Sequence, residues 1–197
     1  MARLHRTHSV PNEDDLRRLL KACEGKTFED RRDAAIVTVF IDTGARLSEL
    51  ALLKLQDVDL EHRLVRVMGK GRRAQALPLG AKASLALNRY LRMRPTHRLA
   101  RLDALWLGHA GRMTPDGVGF TIRRRARMAG IEELHPHSLR HGFAHSWLAG
   151  GGNEGDLMAL AGWRSRTMLQ RYAASRALAA SAAWVDRMSA GIARLAR

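Results

Sequence analysis

The chain has 197 residues, which is long enough for one medium-sized domain with a sizeable buried core. It holds 34 Lys and Arg against 19 Asp and Glu, and the resulting formal charge of +15 favours a polyanionic partner such as nucleic acid over a generally basic surface. One cysteine excludes an intramolecular disulfide and a cysteine-based zinc cluster, and no apolar run is long enough to span a membrane. Because no hydrophobic export segment opens the chain either, the sequence predicts a soluble cytoplasmic protein.

The first part of the chain is predicted to be helical. Residues 1–10 are basic and aperiodic, so we expect a tail there. The stretch PNEDDLRRLLKAC then predicts a helix over about 12–23, with Asn12 as its cap and acids in its first turn. A second helix covers FEDRRDAAIVTVFIDTG and stops at Gly44, and RLSELALLKL begins a third.

The middle of the chain changes to a β-prone pattern. Residues 63–79 hold two short β-prone stretches around GKGRRAQ, which predicts a hairpin with Lys70 at its tip. A helix over AKASLALNRYLRMR, a short strand LWLG and a capped helix from Thr114 to Gly130 follow. Further helical segments are predicted at 138–149, 154–161, 165–173 and about 176–195. The fold class is therefore α+β and mainly α-helical, with one compact domain and a small antiparallel sheet.

Two local patterns invite a ligand-binding interpretation that their context does not support. The glycines of GGGNEG, at 150–155, have the spacing of a dinucleotide-binding loop, but they follow a helix rather than a strand and predict a turn. His137, His141 and His145 are spaced four apart on a helix, which could suggest zinc. That spacing drifts around the helix and no carboxylate lies beside it, so we predict no metal site.

Two arginines are expected at helix N-termini, where a cation is unfavourable unless an anion is bound beside it. Arg46 begins the RLSELALL helix, and Arg140 lies in the first turn of a helix that Ser138 would cap. Together they suggest a phosphate clamp, because the planar guanidinium can hold two phosphate oxygens. The alternative is that each is a surface arginine paired with Glu49 or Asp30.

Three separated motifs resemble those of the tyrosine site-specific recombinases, also called phage-type integrases. TGARLSEL at 43–50 is similar to their first arginine motif, HPHSLRHGFAH at 135–145 to their His-x-x-Arg box, and AGWRSRTMLQRYA at 161–173 to the segment that ends in their nucleophile. The resemblance covers about residues 11–176. It implies the catalytic-domain fold of that family, and metal-free cleavage and rejoining of DNA through a 3′-phosphotyrosine in site-specific recombination or integration of mobile elements.

The resemblance implies a role for each residue that matches these motifs. Arg46 and Arg140 would bind the nonbridging oxygens of the scissile phosphate. His137 would act as acid/base or as a hydrogen-bond donor to that phosphate. Glu49 would orient the first arginine and the histidine, and His141 would belong to a supporting shell.

The same resemblance implies roles for three further residues: a proton donor, a hydrogen-bond donor and the nucleophile. Lys70 would protonate the leaving 5′ oxygen, and Trp163 would donate a hydrogen bond where many members carry a second histidine. Tyr172 would attack phosphorus, since its polar surroundings favour an accessible phenol. The alternative for Tyr172 is a helix-packing role like the one expected of Tyr90, which the pattern predicts to be half buried.

The basic runs are candidates for contacts to DNA phosphates, and Arg72 or Arg73 could also replace Lys70 as the acid. The expected contacts come from Arg72, Arg73, Arg123, Arg124, Arg125 and Arg127. Such contacts are sensitive to salt. The alternative for any one of them is an ordinary solvated face.

The resemblance also implies a domain organisation and partners. Residues 11–175 would form the catalytic domain, and an amphipathic helix over 176–197 would pack on its own domain or on a neighbouring protomer. The N-terminal DNA-clamping domain of the family is expected to be absent. The partners would be double-stranded DNA and further copies of the chain, as a tetramer on DNA, with no cofactor. Two alternatives stay open: relaxation of DNA as in type IB topoisomerases, and a DNA-binding remnant without catalysis.

Overall fold

The structure is a computed structural model that describes residues 10–69, 74–163 and 169. The chain divides into two compact units, residues 1–144 and residues 145–197. Over the described ranges, no helix is both long and apolar enough to cross a membrane.

The first two helices begin at the residues that the sequence indicates, and the second also ends at the predicted residue, whereas the first ends at Lys21, two residues before its predicted end. Helix α1 spans Glu13–Lys21, and the Asn12 side chain accepts the backbone N–H of Asp15 at 2.8 Å while the Asp15 carboxylate accepts that of Asn12 at 3.1 Å. This reciprocal pair satisfies two donors that a helix start leaves unpaired. Helix α2 spans Phe28–Thr43 and ends at Gly44, whose φ of 54° is the left-handed conformation that glycine adopts without strain.

A three-stranded antiparallel sheet follows the short helix α3 (Leu47–Ala51). A 3₁₀ turn at Leu55–Asp57 leads into strand β1 (Val58–Asp59), which pairs with β2 (Leu64–Met68). Strand β2 pairs in turn with β3 (Ala74–Pro78), so the predicted hairpin is confirmed. The sequence did not predict β1, because two residues are too few to show an alternating pattern.

The next helix packs on α2 and ends where the sequence indicates. Helix α4 spans Ala81–Met93, and a 3₁₀ turn at Arg94–Thr96, which contains Pro95, follows it. A two-stranded ribbon of β4 (Leu107–Gly108) and β5 (Gly111–Arg112) follows, and β4 contains the last two residues of the predicted strand LWLG. These elements bring the apolar middle of α2 into the core against α4.

The remaining helices carry the segments of greatest functional interest. Helix α5 spans Pro115–Met128 and is capped by the Thr114 hydroxyl. Helix α6 spans Pro136–Ala149 and runs across the boundary between the two units, and α7 spans Glu154–Ala161 in the second unit. The glycine-rich stretch between α6 and α7 is a turn that ends at Asn153, the cap of α7, as the sequence predicts.

An aromatic cluster lies at the centre of the first unit. Tyr90 is fully buried between Phe28 and Trp106, with ring centroids 5.6 and 5.5 Å away. Its hydroxyl donates to the carbonyl of Leu105 at 2.9 Å, and burial raises the pKa of the phenol. The prediction that Tyr90 is half buried is therefore wrong. Cys23 is buried, and desolvation raises the pKa of its thiol to about 12.

Arg94 is also buried, with 4% of its surface exposed. Its guanidinium donates to four backbone carbonyls, those of Ala100, Leu102, Ala104 and Leu105, at 2.6 to 3.2 Å. The donors of one side chain therefore hold together the turn that enters β4. This use of the guanidinium was not predicted.

Candidate active site

The site is built on the turn between α2 and α3. Gly44 ends α2, and a Cβ atom at this position would lie 2.3 Å from the ring carbon Cδ1 of Phe143. Glycine is therefore required here both for its positive φ and for the close approach of the Phe143 ring. The turn places Arg46 immediately before the first residue of α3.

Arg46 is held by the carboxylate of Glu49, one turn further along the chain. Its Nη1 donates to Oε1 of Glu49 at 2.7 Å, and its backbone N–H donates to Oε2 at 2.8 Å. The Glu49 side chain is 9% exposed and that of Arg46 is 36% exposed. The expected pairing of these two side chains is present, and it fixes the direction of the guanidinium while leaving part of it at the surface.

Arg140 joins α6 to the same turn. Its Nη1 donates to the carbonyl oxygen of Gly44 at 2.5 Å. This carbonyl belongs to the C-terminal end of α2, where the helix dipole is negative and a cation is favoured. The two arginines are thus brought to neighbouring positions of the fold, Arg46 by the chain itself and Arg140 by this hydrogen bond.

The start of α6 differs from the prediction. Helix α6 begins at Pro136, so Ser138 is its third residue and not its cap, and Arg140 lies beyond the first turn. The cap is His135: its Nδ1 accepts the backbone N–H of Ser138 at 3.2 Å, and the Ser138 hydroxyl accepts that of His135 at 3.0 Å. The sequence signal was misread because histidine is an unusual residue at a helix cap.

Two of the histidines on α6, His137 and His141, face each other. The Nε2 atoms of His137 and His141 are 2.7 Å apart, and the rings meet edge to face with centroids 4.2 Å apart. His137 is exposed and His141 is half buried. No group of three or more histidine, cysteine or carboxylate side chains suited to a metal ion occurs among the residues that were placed.

The family follows from a comparison with known proteins. The model of the phage integrase family matches residues 10–178. The chain belongs to the phage integrase family. That match contains the Arg46 turn and the whole of α6, so the paired arginines and histidines described above are part of its integrase domain.

Individual relatives agree with this membership. The tyrosine recombinase XerC of Pseudomonas aeruginosa is 40% identical over 159 residues, which cover 77% of this chain and 50% of that protein. The crystal structure of XerA recombinase aligns with a TM-score of 0.77 at 31% identity, over 87% of this chain and 61% of that one. The XerH recombinase, described as bound to its difH substrate, aligns at 21% identity with a TM-score of 0.71, over 83% and 49% of the two chains. The integrase chain spans about half the length of the curated relatives that it matches.

Trp163 of this integrase chain lies in the second unit. It directly follows Gly162, the left-handed residue that ends α7, and its backbone N–H donates to the carbonyl of Met158 at 2.9 Å. The indole is partly exposed. Four other candidates, Lys70, Arg72, Arg73 and Tyr172, lie outside the described residues.

The arginine run on α5 divides into two groups. Arg123 and Arg127 are exposed, which is compatible with the predicted contacts to DNA. Arg125 is 4% exposed, and its guanidinium donates to Asp33, Asp30 and the carbonyl of Ala22, each at 2.9 Å. The prediction that Arg125 contacts DNA is therefore corrected: it is a buried structural residue.

Asp33, one of the two carboxylates bonded to Arg125, also accepts hydrogen bonds from two other arginines. Asp33 is fully buried, and it accepts from Arg32 at 2.8 and 3.0 Å and from Arg124 at 2.6 Å. The side chain of Arg124 is 39% exposed, although its Nη2 donates to the buried Asp33 carboxylate. Three arginines around one buried aspartate tie α5 to α2.

Proposed function

We propose that this chain is the catalytic domain, over about residues 11–175, of a site-specific DNA recombinase that breaks and rejoins strands without a metal ion. The observation that carries the proposal is the 2.5 Å hydrogen bond from Arg140 to the carbonyl of Gly44. It fixes α6 to the turn that presents Arg46, so two guanidiniums can act on one phosphate.

The chemistry of a phosphodiester accounts for the types of residue involved. Arg46 and Arg140 stabilise the charge that develops on the nonbridging oxygens, and His137 donates a hydrogen bond or moves a proton at the same phosphate. Lys70 gives a proton to the departing 5′ oxygen, and Trp163 donates a further hydrogen bond. This set needs no metal, because guanidiniums and a lysine supply the positive charge.

The burial of Tyr90 supports Tyr172 as the nucleophile. The chain has two tyrosines, and Tyr90 is enclosed in the core with its hydroxyl donating to Leu105. The phenol oxygen of Tyr172 attacks phosphorus and forms a 3′-phosphotyrosine ester, while the 5′ oxygen leaves and takes up a proton. The 5′ hydroxyl of a partner strand then attacks that ester and releases the tyrosine, so the phosphodiester count is unchanged.

The partners proposed are double-stranded DNA and further copies of the chain. The charge of +15 and the XerH structure, described as bound to difH substrate, support DNA. A tetramer on DNA, with the helix predicted over 176–197 packed on a neighbouring protomer, follows from the family resemblance. Exposed Arg123 and Arg127 are proposed to bind phosphates, together with Arg72, Arg73 and the outward donors of Arg124.

The test is the formation of a covalent adduct between the protein and DNA. We expect the full chain to form an adduct on end-labelled, nicked duplexes, with the label retained on the protein through denaturing electrophoresis and with EDTA present. Tyr172→Phe should form none, whereas Tyr90→Phe, which removes the buried hydroxyl, should retain the reaction.

Each other outcome points elsewhere. An adduct that persists in Tyr172→Phe would overturn the nucleophile, and loss of the adduct in EDTA would overturn the metal-free mechanism. Relaxation of supercoiled DNA without recombinant products would favour the topoisomerase-like activity. Salt-sensitive binding with no adduct on any nicked duplex would favour a DNA-binding remnant.

A further inference from the structure

The contact between His137 and His141 restricts the chemistry of both rings. The two residues are four apart on α6, a spacing that places side chains on one face, and their Nε2 atoms are 2.7 Å apart. A hydrogen bond between two ring nitrogens requires one nitrogen that carries hydrogen and one that does not. Two doubly protonated rings would direct hydrogen against hydrogen, so at this distance the contact is a hydrogen bond only if the facing nitrogens share one hydrogen.

The surroundings of the pair favour this shared state. His137 lies in the first turn of α6, where the helix dipole disfavours a positive ring, and the guanidinium of Arg140 follows on the same helix. A positive charge on both imidazole rings at the same time is therefore unfavourable. The ring of His135 lies parallel to the His137 ring with centroids 6.3 Å apart, and its Nδ1 accepts the backbone N–H of Ser138.

We propose that His141 is a positioning residue that acts through His137. It holds the His137 ring in one orientation, and it determines whether Nε2 of His137 carries the hydrogen in the DNA-free protein. The inference rests on the proposed function, in which His137 contacts the scissile phosphate and His141 does not. An orienting partner of this kind is how proteins select one tautomer of an active-site imidazole.

The first test needs no DNA. Nitrogen NMR of the full chain with ¹⁵N-labelled histidine distinguishes a ring nitrogen that carries hydrogen from one that does not. For wild type we expect one facing nitrogen of each kind. In His141→Phe the His137 signals should move to the averaged position of a ring that exchanges between tautomers, whereas in the control, His109→Phe at an exposed histidine, they should not move. His137 signals that are unchanged in His141→Phe would overturn the proposal.

The second test separates a positioning role from a structural one by a double-mutant cycle on the rate of adduct formation. We expect His141→Phe to slow cleavage by about 10-fold to 100-fold with a nearly unchanged Kd for DNA, and His141→Gln, which can still hydrogen bond, to recover much of the rate. His137→Gln combined with His141→Phe should be no slower than His137→Gln alone.

The outcomes of the cycle are decisive in both directions. Multiplicative losses in the double variant would mean that His141 acts independently of His137, which overturns the proposal. If His141→Phe does not fold, the same comparison is made with His141→Leu, which also removes the ring nitrogens, while His141→Gln should keep the His137 nitrogen signals of one fixed tautomer. If wild type forms no adduct on any DNA, the proposed function fails, and the nitrogen spectra still decide the role of His141.

Discussion

Arg46 of the α2–α3 turn and the buried arginines of the interior use the same guanidinium in opposite ways. Arg94 and Arg125 are 4% exposed, and their donors are directed at carbonyls and carboxylates of their own chain. The side chain of Arg46 is 36% exposed and is oriented by one carboxylate. The many arginines of this basic chain therefore serve two purposes: the buried ones stabilise the fold, and the partly exposed one can bind an anion.

The largest expected effect on stability comes from Asp33, the buried carboxylate that accepts from three arginines. Asp33→Asn removes the charge that holds Arg32, Arg124 and Arg125. It takes the carboxylate away from buried Arg32 and leaves buried Arg125 with that of Asp30 alone. We expect the free energy of unfolding to fall by about 3 to 5 kcal/mol, measured by urea denaturation. The control is Asp103→Asn: Asp103 also pairs with two cations, but its side chain is 59% exposed, so a loss of at most about 1 kcal/mol is expected. Equal losses would refute the distinction.

The second prediction sets one arginine of each kind against the other. Arg94→Met removes the guanidinium from four carbonyls, of which only that of Leu105 keeps another described donor, the Tyr90 hydroxyl. It should cost about 3 kcal/mol of stability, while Arg46→Met should cost about 1 kcal/mol or less. The order reverses for adduct formation, which Arg46→Met should abolish and which Arg94→Met should retain at a temperature where it is folded. If the variant that loses more stability also loses more cleavage activity, the assignment of Arg94 to the fold and of Arg46 to the reaction is wrong.

The third prediction concerns the turn that supports both active-site arginines. Gly44→Ala forces a side chain into a left-handed conformation and against the Phe143 ring, and we expect a loss of about 2 kcal/mol together with slower adduct formation. Gly117→Ala is the matched control. A Cβ at Gly117 would meet only the Thr114 hydroxyl at an ordinary 3.5 Å, and alanine within α5 should be neutral or raise stability by up to about 1 kcal/mol.

The smallest expected effect is a pH dependence of stability that arises from Asp30, the second carboxylate bonded to Arg125. Hydrogen bonds from the Thr27 hydroxyl and from Arg125 lower the pKa of Asp30 below its ordinary value. The ionised carboxylate therefore stabilises the fold above the pKa of the unfolded chain, near 3.9, and this contribution is lost as the pH falls through the lower pKa of the folded protein. Asp30→Asn should be less stable than wild type at neutral pH, with a difference that narrows below about pH 4. A constant difference across that range would contradict this assignment.

How much the sequence could predict depends on the range of the interactions involved. Caps, the Gly44 stop and the β2–β3 hairpin are decided by neighbouring residues, and the predictions at Asn12 and Gly44 are confirmed. The burial of Arg125 depends on Asp33, which lies 92 residues away in the chain, so the arginine run could not reveal which of its members points inward. The facing of His137 and His141 was available from their spacing, whereas the bond from Arg140 to Gly44 was not.

The acceptor that Arg140 uses is a main-chain oxygen, and this has a mechanical consequence. No change of side chain at position 44 deletes that oxygen; a substitution can only displace the backbone that carries it. Because Arg46 follows Gly44 by two residues in the same short run of backbone, a displacement of that run moves the acceptor of Arg140 and the backbone of Arg46 together. The separation between the two charges is therefore better protected against mutation than the position of either charge alone.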